Sequence, residues 1–295
     1  MNPIPSGDLI LLNDWNSSPN SVWAMTPDGM TFTEIFRAFR VWSMGVSNGF
    51  DKIAFASADP QQQKHFCIDV GDAIQNTFLY DVGSQSAKLL SHGNINDECH
   101  TFAPGDQTLY VCRRYEFMAD GSSKGYRIGK IDLSSLAFTW ITAENPAAYD
   151  LYPAPTHDGS NLLYTEAPLP TGQRALLDRT LSTSMDSLLR ANVNQPVISP
   201  DGTRYLFQDY GQSGALRASD LGGQNTVTLA NEQGTGARWS PDGTAVIFLV
   251  FDSAKSCSHI DMVKSDGSQA AAPTRIYDCG VKGRFISDLA YIHRP

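Results

Sequence analysis

Short apolar runs alternate with clusters of Gly, Asp, Asn, Pro and Ser along the whole chain, and no stretch keeps the 3.6-residue apolar period of a long helix. The runs at Lys52 to Ala56, Thr108 to Cys112, Asn161 to Tyr164, Arg204 to Phe207 and Ala245 to Phe251 each follow a turn cluster. Ser199-Pro200-Asp201-Gly202-Thr203 returns as Ser240-Pro241-Asp242-Gly243-Thr244, and Thr156-His157-Asp158-Gly159, Ala103-Pro104-Gly105-Asp106 and Ser47-Asn48-Gly49 are weaker copies. Asp-Gly accepts the positive φ that a tight hairpin demands, so each copy reads as strand, turn, strand. The run Val246 to Phe251 is apolar at every position. A strand of that kind has both faces buried, as between two stacked sheets.

Further strand-like runs lie between these hairpins: Phe78 to Asp81, Tyr126 to Ile131, Ala215 to Ser219 and Ile260 to Val263, followed by short strands such as Thr226 to Leu229 and Thr274 to Tyr277. The repeating unit is therefore four antiparallel strands in about 40–55 residues, the size of one propeller blade. Five complete copies leave incomplete ends. Residues 1–37 begin inside a blade, and residues 283–295 open one, so the two ends complete each other. The expectation is an all-β chain, one six-bladed β-propeller domain over 1–295, with N- and C-terminal strands sharing the closing blade.

The Ser-Pro-Asp-Gly-Thr turn, preceded by Ile198 or Trp239 and followed by an apolar strand, resembles the repeat of the TolB-like propeller family. Similar repeats occur in the propeller domains of prolyl-oligopeptidase-like peptidases and in some pectate-degrading lyases. The resemblance is carried by 195–267, extends through 41–194, and covers the propeller domain only. It implies fold far more than function, because the motif specifies a hairpin.

Composition narrows the partners. The formal net charge of -9 argues against a nucleic-acid backbone, which needs a basic footprint. No apolar run approaches the roughly 20 residues of a membrane span, so no membrane insertion is expected. Met1-Asn2-Pro3-Ile4-Pro5 shows neither the basic nor the apolar part of a secretory signal. Two locations follow from that start: cytoplasmic, or periplasmic or secreted if a leader has been removed.

Candidate chemistry is sparse. Gly121-Ser122-Ser123-Lys124-Gly125 spells G-x-S-x-G, but a strand rather than a helix follows it, so it reads as a surface loop and not a nucleophile elbow. No catalytic residue is assigned. Asp97, Glu98, His100, Asp150, Tyr152 and Asn194 stand ahead of innermost strands, where several blades converge on a channel mouth, and they form the expected binding set. No cofactor is predicted outright. Oxygens from Asp97, Glu98 and Asp150 are the set that would hold a hard cation such as Ca²⁺ in the central channel, against the plainer reading of polar groups lining water.

His65, His92, His157 and His259 lack ligand spacing and read as surface or hydrogen-bonded structural residues. Among the aromatics, Trp42 and Trp239 are expected in blade cores. Trp15 and a Tyr149–Tyr152 loop are left as surface contacts for a peptide or glycan. The five cysteines show no C-x-x-C spacing. About a hairpin centred on Gly105-Asp106, Cys99 falls opposite Cys112, so a Cys99–Cys112 disulfide and a pair of buried free thiols are both open readings. Cys257 and Cys279 would staple the last complete blade, leaving Cys67 over. Bridges would favour an exported protein. Asn16-Ser17-Ser18 fits the N-glycosylation pattern. The leading functional expectation is a non-catalytic scaffold for a protein or peptide partner at one face or the channel mouth. The alternatives are a metal-assisted carbohydrate-active enzyme, lyase or hydrolase, and a glycan-binding lectin.

Overall fold

The computed structural model describes residues 4–14, 19–58, 75–93, 95–115, 125–169, 172–210, 214–282 and 286–294. Trp15, the Asn16 triplet, His65, Cys67 and Ser122 lie outside them. In chain order the strands open with β1 (Gly7–Asp14), β2 (Asn20–Met25) and β3 (Phe32–Ala38). Then come β4 (Met44–Val46), β5 (Lys52–Ala58), β6 (Gln75–Asp81) and β7 (Ser86–Leu89). The third group is β8 (Asn96–Phe102), β9 (Thr108–Tyr115), β10 (Gly125–Asp132) and β11 (Phe138–Trp140). The fourth is β12 (Ala148–Pro155), β13 (Asn161–Pro168), β14 (Ala175–Thr180) and β15 (Met185–Ala191). The fifth is β16 (Val193–Ile198), β17 (Arg204–Asp209), β18 (Ala215–Asp220) and β19 (Val227–Gln233). The sixth is β20 (Thr235–Trp239), β21 (Ala245–Asp252), β22 (Cys257–Lys264) and β23 (Thr274–Tyr277), followed by a one-turn helix α1 (Cys279–Lys282) and β24 (Ile286–Arg294).

These strands form six four-stranded antiparallel sheets in a ring, a six-bladed β-propeller. One blade has the order β24-β1-β2-β3, so the last strand of the chain pairs with the first and closes the ring. Gly7 lies opposite Arg294 and Leu12 opposite Leu289. The chain divides into two compact units: Met1–Arg37, Arg174–Leu176 and Leu188–Pro295 form one, and Ala38–Gln173 with Leu177–Ser187 the other.

Local chemistry explains the hairpins. In the first unit, Asp201 accepts hydrogen bonds from the Ser199 hydroxyl (2.6 Å), the Thr203 amide (3.0 Å) and the Thr203 hydroxyl (2.8 Å), while Ser199 Oγ accepts from the Arg204 amide (2.9 Å). Asp242 repeats the set with Ser240 and Thr244. These donors hold the Asp201 carboxyl at a pKa of about 2, with the Ser199 hydroxyl the largest cause. Gly105, Gly159, Gly202 and Gly243 take the positive φ expected of them. The turn after Asn48 differs, since there the left-handed residue is Phe50 (φ 52°), one place later.

Burial follows the blade geometry. In β21, Val246, Ile247 and Phe248 are all fully buried, as a strand packed on both faces requires. The outer strand β15 begins with four exposed residues. The first unit buries Ile10, Leu12, Met25, Ile247, Ile260 and Leu289 in one cluster, and Trp239 donates its indole N–H to the Val197 carbonyl at 3.0 Å. In the second unit Ala54, Leu79, Leu109, Val111 and Ile131 do the same work. Trp42 departs from expectation. It precedes β4 and is 45% exposed, while Trp239 is buried as expected.

Candidate functional site

Four of the innermost strands share an irregularity. The pairing register shifts between Glu98 and Thr101 in β8, Leu151 and Ala154 in β12, Asn194 and Val197 in β16, and Thr235 and Arg238 in β20. Each shift is a β-bulge that contains one residue at positive φ: Cys99 (54°), Tyr152 (57°), Gln195 (56°) and Gly236 (61°). All four stand at the same distance before the residue that opens the next turn, namely Ala103, Thr156, Ser199 and Ser240. A bulge re-aims the side chains on either side of it, which changes where the expected channel-mouth residues point.

In the second unit, Asp97 is 0% exposed. Both its oxygens are taken by Arg113, at 2.7 Å from Nε and 2.8 Å from Nη2, and Oδ2 also accepts from the Thr77 hydroxyl at 2.8 Å. Arg113 in turn lies 3.6 Å over the Phe138 ring. Thr77 Oγ1, having donated to Asp97, accepts from His100 Nε2 at 3.1 Å. His100 Nδ1 therefore carries the lone pair and accepts from the Ser43 hydroxyl at 3.2 Å. Ser43, His100, Thr77 and Asp97 so make a buried chain with the composition of a nucleophile–base–acid relay. Burial depresses the His100 pKa to about 4, outweighing the nearby Asp97 charge. A base of that strength takes a proton poorly at neutral pH, and Ser43 and His100 are buried. The chain is a structural network. A Cβ at Gly45 would be driven into the His100 carbonyl, so glycine is what lets β4 approach β8 this closely.

Glu98 faces a different environment. Its Oε1 accepts from Tyr126 Oη at 2.9 Å and from Asn96 Nδ2 at 3.0 Å. Burial raises its pKa, and the Tyr126 and Asn96 hydrogen bonds and the Arg114 charge pull the other way. Asp150 is buried too. Burial carries its carboxyl up to a pKa of about 6, against the hydrogen bond from the Thr142 side chain, with Glu166 adding repulsion. The geometry thus spends Asp97 on an ion pair and gives each of the three acids different partners.

Asp150 has a measurable signature. Its carboxyl titrates near 3.8 in the unfolded chain and near 6 in the folded one, so between those values the folded chain holds a proton the unfolded chain has lost. Its contribution is therefore full below about pH 4 and lost as the pH rises through 6. Asp150→Asn removes this pH dependence. Urea unfolding of both proteins should show the variant gaining about 2–3 kcal/mol on wild type between roughly pH 4 and pH 8. A pH-independent difference would contradict the assignment.

Tyr152 occupies the bulge of β12 rather than a loop, and Tyr149 lies in the same strand with its ring 5.5 Å from Tyr126. Both are half-buried, which corrects the expected Tyr149–Tyr152 surface loop. Asn194, in the first unit, is 6% exposed, and its Oδ1 has no hydrogen-bond partner among the described residues. Of the two readings for Cys99 and Cys112, the structure has the free thiols. The bulge places Glu98, not Cys99, opposite Cys112. The Cys112 Sγ accepts the Tyr152 amide at 3.2 Å, and burial pushes its thiol pKa well up. Cys257 and Cys279 are bridged, with Cα atoms 6.0 Å apart.

Sequence reading missed two features. His259, in the first unit, is buried between Asp252 (3.1 Å from Nε2), Asp278 (3.4 Å from Nδ1) and the Cys279 sulfur (3.6 Å from Nδ1). The available signal was Cys257-Ser258-His259 together with Asp278-Cys279, two short clusters rather than one motif. The second is a set of exposed large hydrophobic side chains at strand ends. In the first unit β17 and β21 each leave an Asp-Gly turn and finish at an exposed ring, Tyr210 (45%) and Phe251 (60%), and Arg174 stacks over Tyr210 at 4.4 Å. In the second unit β13 likewise leaves its turn and ends beside the exposed Leu169.

No family model and no curated protein matches the chain. Among solved structures it is similar to TolB from Acinetobacter baumannii, with TM-score 0.70 and 13% identity over 97% of this chain. It spans 66% of that protein's length, just under two thirds. It is also similar to a chain of a nidogen/laminin complex, with TM-score 0.69, 6% identity, and 97% and 98% of the two chains covered. An oligogalacturonate lyase in complex with manganese gives TM-score 0.53 and 15% identity over 92% of this chain and 74% of the other. At these identities what is shared is the fold, and that fold is the TolB-like six-bladed β-propeller.

Proposed function

We propose that the protein is a non-catalytic scaffold that takes a protein or peptide partner on the blade ends opposite the Asp-Gly turns. The observation that carries this reading is the pair of exposed rings, Tyr210 and Phe251, at corresponding ends of β17 and β21, with the Arg174 guanidinium stacked on the first. Aromatic and Arg side chains are the types that anchor protein interfaces. The likeness to TolB and to a chain from a nidogen/laminin complex supports a protein partner in general terms. An exported location belongs to the proposal, because the Cys257–Cys279 bridge persists in oxidising compartments. Among the described residues no helix is long and apolar enough to cross a membrane.

The test is cross-linking and capture from the native host with wild type and with Tyr210→Ser/Phe251→Ser. Both side chains are exposed, so the double variant should fold normally and lose at least ten-fold in partner recovery. Equal recovery by both proteins would move the interface elsewhere. A second reading, a metal-assisted carbohydrate-active enzyme, draws support from the likeness to the manganese-bound lyase. Turnover of oligogalacturonate by the purified protein, with no partner recovered, would replace the scaffold reading with that one. Retention on a glycan array that is lost in the same double variant would favour a lectin.

A further inference from the structure

The cluster around His259 has features that a hydrogen-bonded structural histidine does not need. His259 is 2% exposed and both ring nitrogens have partners. The Cys279 amide donates to Nδ1 at 3.3 Å, so Nδ1 carries the lone pair and Nε2 the proton. Asp252 accepts that proton at 3.1 Å. A carboxylate on one nitrogen fixes the tautomer and aims the other lone pair, which is how metal-ligating histidines are usually held. Nδ1 lies 3.4 Å from Asp278 Oδ1, and Cys279 Sγ sits beside the ring, 3.6 Å from Nδ1 and 4.0 Å from Nε2, so an ion on Nδ1 would displace the Cys279 amide and draw the sulfur toward the ring plane; the ligand atoms of His259, Asp278 and Cys279 all lie within 4.8 Å of one another. Ligand–metal distances of about 2.0–2.3 Å in a tetrahedron give edges of roughly 3.3–3.8 Å, which the separation of Nδ1 and the Asp278 oxygen already matches. The Cys257 sulfur is bonded to that of Cys279 and so supplies a fourth donor at the same spot.

We infer that, once the Cys257–Cys279 bridge is reduced, Cys257, Cys279, His259 Nδ1 and Asp278 bind one divalent ion of the zinc class. A dithiol reductant delivers two electrons and two protons to the bridge, breaking the S–S bond, leaving two thiols and becoming a disulfide itself. Zn²⁺ then replaces the two thiol protons, which pass to solvent, and two S–Zn bonds form. The donor set, two thiolates, one imidazole and one carboxylate, suits a borderline ion in tetrahedral geometry and not Ca²⁺ or Mg²⁺. Disulfide and ion compete for the same sulfurs, so the hairpin from β22 to α1 is stapled by one or the other according to redox state. Lys255, 3.6 Å from Asp252 and 3.7 Å from Asp278, is the cation that opposes the ion and is half-exposed, free to swing away. The inference stands apart from the scaffold reading and survives its failure.

The test titrates Zn²⁺ alone into full-length protein, oxidised and phosphine-reduced, in competition with a chromogenic chelator. Reduced protein should take up a single Zn²⁺ per chain and oxidised protein none. Co²⁺ in its place should show a thiolate-to-metal charge-transfer band. Cys279→Ser and His259→Ala should each weaken binding at least 100-fold, Asp252→Asn roughly 10–100-fold through the lost orientation, and Lys255→Ala should tighten it. Because the first two variants also remove internal contacts, alkylation mapping of wild type supplies a readout that needs no mutation. Zn²⁺ should protect Cys257 and Cys279 and leave the other thiols as reactive as before. No uptake by reduced protein, or protection mapping to Cys67, Cys99 or Cys112, would overturn the assignment.

Discussion

Arg113→Met should destabilise the folded chain by about 3–5 kcal/mol, because it strands a carboxylate that has no access to water. Asp97 is fully buried, and Arg113 neutralises it through two charge-assisted hydrogen bonds. Thr77 alone cannot replace them. The folded state of the variant must keep a bare buried carboxylate with no cation beside it. Asp97→Leu combined with Arg113→Met removes both charges and should regain most of the loss, since a buried ion pair is seldom better than an apolar pair of similar volume. Denaturant unfolding of the three proteins measures both effects. If the single variant matched wild type, Arg113 would not be what stabilises the buried Asp97 charge.

Removing residues 286–295 should have the largest effect of any change considered. β24 supplies the innermost strand of the blade that it shares with β1, β2 and β3. Its loss takes Ile286, Leu289 and Ile292 out of the first unit's core and leaves β1 paired to β2 alone, with its other edge open. Each large apolar side chain removed costs about 2–5 kcal/mol, which together are as large as the net stability of an ordinary domain. An unpaired edge rich in Leu and Ile is also a template for association. The truncated chain should elute as aggregate and show no cooperative thermal transition. A monomer that melts cooperatively would mean that closure by the two ends is dispensable.

How far the fold could be read before the structure depends on the kind of signal each element carries. β5, β9, β13, β17 and β21 begin at Lys52, Thr108, Asn161, Arg204 and Ala245, the residues at which the apolar runs begin, because a turn of Gly with Asp or Asn fixes each hairpin from a local sequence alone. Blade count and ring closure followed from counting those turns. The bulges did not, since a positive φ at Cys99, Tyr152 or Gln195 has no compositional mark; only Gly236 carries the expected residue. That one inserted residue per strand explains why Cys99 misses Cys112 and why Asp97 turns toward Arg113. Trp42 was misplaced because a large aromatic near a strand reads as core, whereas β4 is only three residues long and starts after it. The His259 cluster was invisible for another reason. Its members come from a strand start and a helix start that only the hairpin brings together.

The join between β1 and β24 also bears on how the chain reaches this state. Asp8 and His293 are 285 positions apart yet hydrogen-bonded at 2.7 Å, whereas the contacts within most blades link residues only a few tens apart. Bringing such distant segments together carries the highest loop-closure entropy in the molecule, and that cost is met before the pairing returns anything. Individual hairpins can therefore assemble locally, whereas the closing blade needs segments from both ends of the chain before any of its ladder can form.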